Sequence, residues 1–123
     1  MSERILLVDD EPLILEALRR QLRKKVDVEV ATSGADGLGL IERSEPFAVV
    51  VSDMRMPQMT GSQFLAQVRK TSPDSVRMIL SGQAELESTI AAVNQGQIFR
   101  FLMKPCSPEA LFAGIDAGIE QYR

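Results

Sequence analysis

The sequence predicts an α/β domain built on one parallel sheet, and two observations support this prediction. Five apolar, strand-like runs open near Ile5, Val26, Phe47, Val76 and Ile98, and a segment with helical spacing follows each of them. This alternation favours parallel strands with helices on both faces of the sheet. The chain has 123 residues, of which 45% are hydrophobic and 25% charged, as is typical of one folded domain. We therefore expect a single domain over residues 1–123.

The strand runs differ in how continuously apolar they are. Three are uninterrupted, as expected for interior strands covered on both faces: residues 5–8, 49–51 and 78–80. The second run, 26–30, alternates with acidic residues, and the fifth, 98–103, contains Arg100, so both are predicted at the sheet edges. Interior first, third and fourth strands match the order 2-1-3-4-5 of a doubly wound, flavodoxin-like (βα)5 fold.

Proline and hydroxyl residues mark the helices in chain order. Pro12 suits the first turn of the first helix; the second helix follows Ser33 and Gly34, and the third follows Thr60 and Gly61. The fourth is predicted from about residue 85 to residue 95, where Gly96 breaks it. The last begins at Ser107, an N-cap residue followed by proline.

The composition excludes several classes of function. With 14 Lys+Arg against 17 Asp+Glu the formal net charge is -3, so we expect no direct nucleic-acid binding. The absence of histidine removes Ser-His-Asp and Cys-His mechanisms, and the single Cys106 allows no disulfide within the chain. The N-terminal apolar run is too short for a signal peptide or a membrane span, which predicts a cytoplasmic protein without a membrane partner.

Polar residues follow the predicted strands at the edge where ligands bind in open parallel sheets. Asp9 and Asp10 follow the first strand, Asp53 the third, Ser81 the fourth and Lys104 the fifth. Because the first and third strands are predicted neighbours, the three carboxylates should converge. Carboxylates that close together bind protons or recruit a hard cation, and Mg²⁺ is the natural occupant.

Ser81 and Lys104 complete a site that suits a phosphoryl group. Their hydroxyl and ammonium groups are donors for phosphoryl oxygens, and a carboxylate beside Mg²⁺ can act as a nucleophile and form an acyl phosphate. No step requires a histidine on this chain.

These motifs resemble the receiver domains of two-component response regulators, and the resemblance spans the whole chain. It lies in residues 5–11, in residues 51–57 with Gly61, in Ser81-Gly82 and in residues 101–105. The resemblance implies that a sensor histidine kinase or phosphotransfer protein phosphorylates Asp53, and that Ser81 and Lys104 bind the phosphoryl oxygens. It also implies a Mg²⁺ site formed by Asp9, Asp10, Asp53 and the backbone carbonyl of Arg55.

The same resemblance implies a conformational switch. Ser81 would move toward the phosphoryl group and Phe101 would swing inward behind it. The fourth helix, fifth strand and fifth helix would then signal to an output domain, a downstream protein or a second copy in a phosphorylation-dependent homodimer. The resemblance further implies a cis peptide bond between Lys104 and Pro105. Arg55 and Gln83 occupy positions that set phosphoryl lifetime in the family; we expect Arg55 to shield the group and Gln83 to orient an attacking water.

The same residues bear on three alternative functions. A phosphatase of the haloacid-dehalogenase type would place a second Asp where Arg55 stands, which argues against turnover. A flavin or nucleotide carrier would need a Gly-rich phosphate loop of the G-x-x-x-x-G-K type, which the sequence lacks. A receiver fold retained as an unphosphorylated interaction or dimerisation module stays open, as does the choice between a stand-alone regulator and the N-terminal domain of a longer one.

Overall fold

Strands and helices alternate along the chain in the structure, a computed structural model that describes residues 3–94, 98–104 and 106–122. The strands are β1 Arg4–Val8, β2 Asp27–Ala31, β3 Val49–Asp53, β4 Val76–Ser81 and β5 Arg100–Met103. The helices are α1 Pro12–Leu22, α2 Gly34–Arg43, α3 Gly61–Thr71, α4 Leu86–Asn94 and α5 Pro108–Tyr122, with a short 3-10 turn at Gln83–Glu85. No helix among the described residues is both long and apolar enough to cross a bilayer.

The five strands form one parallel sheet of order β2-β1-β3-β4-β5, which confirms the predicted fold and both predicted edge strands. The register places Val8 beside Ser52, and Asp53 beside Leu80. The carboxyl ends of β1, β3 and β4 therefore meet at one edge. Asp9 and Asp53 consequently come to the same place on the sheet.

Alternating side chains of the interior strands enter two separate cores. Ile5 and Leu7 of β1 face α1 and α5, where they join Leu15 and Ile115, whereas Leu6 faces the layer of α2, α3 and α4. The second core contains residues of all three of those helices: Ile41, Phe64, Leu65, Val68 and Ala92. Burial on both faces holds the central strands, and with them the strand ends, in fixed positions.

The strand boundaries differ slightly from the prediction. Phe47 and Ile98, where two apolar runs open, are buried at 1% and 5% exposure but precede the paired segments of β3 and β5. An apolar run reports burial, and burial begins before strand pairing does. The predicted start of the fourth helix falls in the 3-10 turn, and its predicted end at Gln95, with the break at Gly96, lies outside the described residues.

Candidate functional site

Three carboxylates converge at the carboxyl edge of the sheet, as the sequence predicts. Asp9 directly follows β1, Asp10 is next, and Asp53 is the last residue of β3. One oxygen from each lies within 4.8 Å of the others. Asp9 and Asp53 are only 2% and 5% exposed, whereas Asp10 is more accessible. The geometry therefore makes a small acidic pocket that opens toward solvent on the side of Asp10.

Backbone groups hold Asp9 in this pocket. The amide of Asp9 donates to the carbonyl of Ala31 at 3.1 Å, which continues the pairing of β1 and β2 by one residue. Its Oδ1 accepts a hydrogen bond from the amide of Glu11 at 3.0 Å. Both the backbone and one carboxylate oxygen of Asp9 are thereby fixed.

The loop after β3 is closed tightly around Asp53. Gly61 donates its amide proton to the carbonyl of Met54 at 2.9 Å, and Met54 donates to Leu80 of β4 at 3.0 Å. A Cβ at Gly61 would collide with the carbonyl oxygen of Asp53 and lie 2.9 Å from the Cα of Met54. Glycine is therefore required where α3 begins, because the backbone approaches there too closely for a side chain.

Lys104 joins the pocket from the end of β5. Its ammonium lies 2.8 Å from Oδ1 of Asp53 and 3.8 Å from Oδ2 of Asp9, and its amide donates to the carbonyl of Ser81 at 2.8 Å. Burial lowers the pKa of Lys104, but its hydrogen bond to Asp53 and the charges of Asp53, Asp9 and Glu11 together raise the pKa above its usual value. The ammonium is therefore charged near neutral pH and neutralises part of the acidic pocket.

Asp9 retains an unsatisfied oxygen that fits a cation. Its Oδ2 is buried and has no hydrogen-bond partner among the described residues. Burial raises the pKa of Asp9 from 3.8 to about 6; the amide of Glu11 opposes this effect, and the charge of Asp53 adds to it. An orphaned carboxylate oxygen beside two further carboxylates is the oxygen-rich donor set that Mg²⁺ prefers.

Ser81 ends β4 beside the pocket, but its hydroxyl is engaged elsewhere. Oγ of Ser81 donates to the carbonyl of Gly82 at 3.1 Å and accepts a hydrogen bond from Oγ1 of Thr89 at 2.9 Å. The structure thus brings Asp9, Asp10, Asp53 and Lys104 together while the hydroxyl of Ser81 bonds to its own loop and to α4.

The remaining predicted residues differ in their exposure. Arg55 and Gln83 are exposed, and each lies two residues after the end of its strand. Phe101 is partly buried and packs against the core of α2, α3 and α4. The predicted cis bond between Lys104 and Pro105 falls on a residue outside the described part of the chain.

Thr89 contacts the hydroxyl of Ser81 and is not predicted from the sequence. It is fully buried on α4, eight residues after Ser81, and supplies the hydrogen bond to its hydroxyl. A signal was available in the spacing, because Leu86, Ala92 and Val93 stand three residues before and three and four after it, as on one helical face. A threonine on the apolar face of a helix needs a buried partner for its hydroxyl.

Comparison with known proteins agrees with this geometry. The family described as the response regulator receiver domain matches residues 5–116. The chain belongs to this family. This receiver domain is 40% identical over 119 residues to the hydrogenase transcriptional regulatory protein HoxA of Bradyrhizobium diazoefficiens, covering 97% of this chain and 24% of the relative. It is 39% identical over 118 residues to the transcriptional regulatory protein GlrR of Escherichia coli, covering 95% of this chain and 26% of the relative.

Solved structures show the same receiver fold. A crystal structure described as adenylate cyclase from Rhodopirellula baltica is 45% identical with a TM-score of 0.97, over 99% of this chain and 90% of that one. A response regulator receiver domain protein from Clostridium thermocellum is 31% identical with a TM-score of 0.90, over 97% and 95% of the two chains. Receiver domains are signalling domains that act with histidine kinases and output domains and generally bind Mg²⁺ at an acidic pocket. This receiver domain spans about a quarter of the length of HoxA and GlrR.

Proposed function

We propose that this receiver domain accepts a phosphoryl group on Asp53 from a histidine kinase or phosphotransfer protein and works as a phosphorylation-dependent switch. The observation that carries the proposal is the ion pair of 2.8 Å between Lys104 and Asp53 within a pocket of three carboxylates. The pocket presents a nucleophile, an acidic cation site and a fixed positive charge at one strand edge. These are the parts that phosphoryl transfer to a carboxylate requires.

The transfer step follows from the placement of Asp53. One carboxylate oxygen forms a bond to phosphorus while the bond between phosphorus and the donor's imidazole nitrogen breaks, and the bonding electron pair stays on that nitrogen. The Lys104 ammonium forms an ion pair with Oδ1 of Asp53 before transfer. After transfer it would lie close enough to bind a negatively charged phosphoryl oxygen. Hydrolysis returns the domain to its resting state: water adds to phosphorus, Asp53 leaves as a carboxylate, and a proton goes to solvent.

Asp9, Asp10 and Asp53 are the side chains that would hold Mg²⁺, with the carbonyl of Arg55 as a fourth proposed ligand. The Oδ2 of Asp9 supports this assignment, because it is buried without a hydrogen bond and the ammonium of Lys104 stays 3.8 Å away. A buried carboxylate oxygen in that position is unfavourable unless a closer cation or a proton satisfies it. When bound, Mg²⁺ would supply positive charge that offsets the charge of the transferring phosphoryl oxygens.

We propose that the switch is read at the surface formed by α4, β5 and α5, the α4-β5-α5 face. Ser81 would turn toward the phosphoryl group, and Phe101, which is partly buried on β5, would pack further inward. Ile90 on α4 and Phe99 just before β5 are 43% and 38% exposed, which gives this face apolar surface for a partner. Arg55 and Gln83 are proposed to set how long the phosphoryl group survives.

The similar proteins carry different descriptions, transcriptional regulation for two and adenylate cyclase for another. We propose that this receiver domain works in the cytoplasm, that a sensor histidine kinase or phosphotransfer protein supplies the signal, and that an output domain, a downstream protein or a second copy receives it through the α4-β5-α5 face.

Phosphorylation is tested by measuring intact mass after incubation with Mg²⁺ and acetyl phosphate. We expect one phosphoryl group on the wild type, none without Mg²⁺ and none on Asp53→Asn. Asp27→Asn is a matched control, because Asp27 is an exposed carboxylate at the opposite end of the sheet, 3.8 Å from Arg4. It should be phosphorylated as the wild type is.

Two outcomes would contradict the proposal. Equal phosphorylation of the wild type and Asp53→Asn would place the acceptor elsewhere. No mass change, together with no spectral response to beryllofluoride and Mg²⁺, would instead support the interaction module that the sequence leaves as the alternative.

A further inference from the structure

Two buried hydroxyls connect the end of β4 to α4. Ser81 and Thr89 both have 0% of their surface exposed, and Oγ1 of Thr89 donates to Oγ of Ser81 at 2.9 Å. The hydroxyl of Ser81 in turn donates to the carbonyl of Gly82 at 3.1 Å. The three groups form a short chain of hydrogen bonds from α4 to the loop after β4.

The number of protons in this chain of hydrogen bonds decides whether Ser81 can donate to a phosphoryl oxygen. A hydroxyl carries one proton and two lone pairs. The hydroxyl of Ser81 donates its proton in a hydrogen bond to the carbonyl of Gly82, and its oxygen accepts a hydrogen bond from the hydroxyl of Thr89. Ser81 therefore has no proton to give to a phosphoryl oxygen until this arrangement is broken.

We propose that Thr89 is a positioning residue that holds the Ser81 hydroxyl in the resting arrangement and couples its release to α4. This inference rests on the proposed phosphorylation of Asp53. When Ser81 redirects its proton to the phosphoryl group, it turns away from Gly82 and Thr89. The buried hydroxyl of Thr89 then loses its acceptor inside the protein, where an unsatisfied hydroxyl is unfavourable.

The lost hydrogen bond can be replaced on α4 itself. A threonine within a helix can donate to the carbonyl of the residue four positions earlier, which here is Glu85 in the 3-10 turn that leads into α4. That rearrangement would act on the first turn of the helix. Thr89 and Ala92 are the buried residues within Leu86–Asn94, so a change at Thr89 acts on the buried face of α4.

The test is a titration of the protein with beryllofluoride in the presence of Mg²⁺, followed by amide NMR signals near Asp53 and along α4. Thr89→Val keeps the branched shape and removes the hydroxyl, so the resting arrangement loses its hydrogen bond. We expect apparent affinity for beryllofluoride to increase about threefold to tenfold, the ratio for one buried neutral hydrogen bond. The response of α4 signals to beryllofluoride should become smaller.

Three further variants separate positioning from packing. Thr89→Ser restores the hydroxyl and should return the affinity toward that of the wild type. Ser88→Ala removes a neighbouring exposed hydroxyl of α4 and should change neither the affinity nor the α4 response. In a Ser81→Ala background, Thr89→Val should cause no further change in affinity, because the partner of the hydroxyl is already absent.

Each result bears on the inference. Weaker or unchanged binding by Thr89→Val overturns it, as does an equal effect of Thr89→Val in the Ser81→Ala background. If Thr89→Val does not fold, Thr89→Ala is measured instead and must shift the affinity in the same direction. Absence of any beryllofluoride response in the wild type overturns the proposed function first and this inference with it, whereas a normal wild-type response isolates the effect of Thr89.

Discussion

The candidate site has two halves that stand on different elements of the fold. The acid half consists of Asp9, Asp10 and Asp53, and the readout half consists of Ser81, Thr89 and Phe101. The acid half stands on β1 and β3, which are paired with a strand on each side. The readout half stands on β4, on α4 and on β5, which ends the sheet.

Packing differs between β3 and β5. Every residue of β3 is buried, including Asp53 itself, and the loop that follows is closed by the amide of Gly61. In β5, by contrast, Arg100 is exposed and Phe101 is only partly buried. Asp53 thus stands on a strand that is buried along its whole length, whereas Phe101 stands on a partly exposed edge strand. Ser81 and Thr89 are as buried as Asp53, and hydrogen bonds between their hydroxyls and to the loop after β4 hold them there.

The largest expected effect is on stability, and it appears when a glycine beside each half is replaced by alanine. In Gly61→Ala the new Cβ meets backbone atoms of Asp53 and Met54, which cannot move without displacing Asp53, so we expect a loss of about 3 kcal/mol in the free energy of unfolding. In Gly82→Ala the nearest atom is Oε1 of Glu85 at 3.2 Å, the end of a flexible side chain. We expect a change of less than about 1 kcal/mol there.

Urea unfolding of both variants measures this difference, with the m-value checked for two-state behaviour. Asp53 of the Gly61→Ala variant should also be phosphorylated to a lower extent than Asp53 of the wild type. If both variants lost similar stability, the acid half would be no more constrained than the readout half.

A second effect distinguishes the halves by pH, because only the acid half contains buried carboxylates. Burial raises the pKa of Asp9 to about 6, above its usual 3.8, so the folded protein binds a proton there more tightly than the unfolded chain does. Stability from this group is complete below about pH 4 and is lost as the pH rises through about 6. In metal-free protein we expect a loss of about 2 kcal/mol across this window.

The measurement compares urea unfolding of the wild type and Asp9→Asn from pH 4 to pH 7 with a chelator present. Asp9→Asn should lack this part of the pH dependence, while Asp27→Asn, on an exposed carboxylate, should keep it. If the free energy of unfolding changed with pH in the same way for the wild type and Asp9→Asn, ionisation of Asp9 would not destabilise the acid half.

The acid half could be predicted from the sequence, because it depends on strand order alone. Once continuous apolar runs place the first and third strands side by side, Asp9, Asp10 and Asp53 must meet, since the carboxyl ends of parallel strands share one edge. Lys104 follows the fifth strand and reaches the same edge with a long side chain. The structure confirms this convergence.

The readout half could be predicted only in part, because a hydroxyl's partner depends on rotamers and on how a helix packs. Ser81 is placed correctly at the end of β4, yet no sequence rule directs its proton to Gly82 or its oxygen to Thr89. Likewise, a 3-10 turn begins the fourth helical segment, and residue patterns do not separate such a turn from the first turn of α4. The short-range geometry that would couple the site to α4 therefore becomes visible only in three dimensions.

The smallest expected effects concern two exposed residues, one beside each half. Arg55 follows Asp53 and Gln83 follows Ser81 by two residues, and both are exposed, so neither substitution to alanine should alter stability by more than about 0.5 kcal/mol. If Arg55 shields the phosphoryl group, Arg55→Ala should shorten its lifetime. If Gln83 orients the attacking water, Gln83→Ala should lengthen it. We expect each rate to change about threefold, or roughly 0.6 kcal/mol in the barrier.

The two lifetimes are measured by intact mass after the phosphodonor is removed, with Mg²⁺ kept constant. A shorter lifetime in Arg55→Ala and a longer one in Gln83→Ala would show that the residue beside the acid half protects the phosphoryl group, while the residue beside the readout half promotes its loss. Equal rates for Arg55→Ala and the wild type would remove the shielding role, and faster loss in Gln83→Ala would reverse the role of Gln83. Because hydrolysis requires water to reach phosphorus opposite the Asp53 oxygen, a change in either direction reports access to that side of the pocket and leaves the constrained position of Asp53 unaltered.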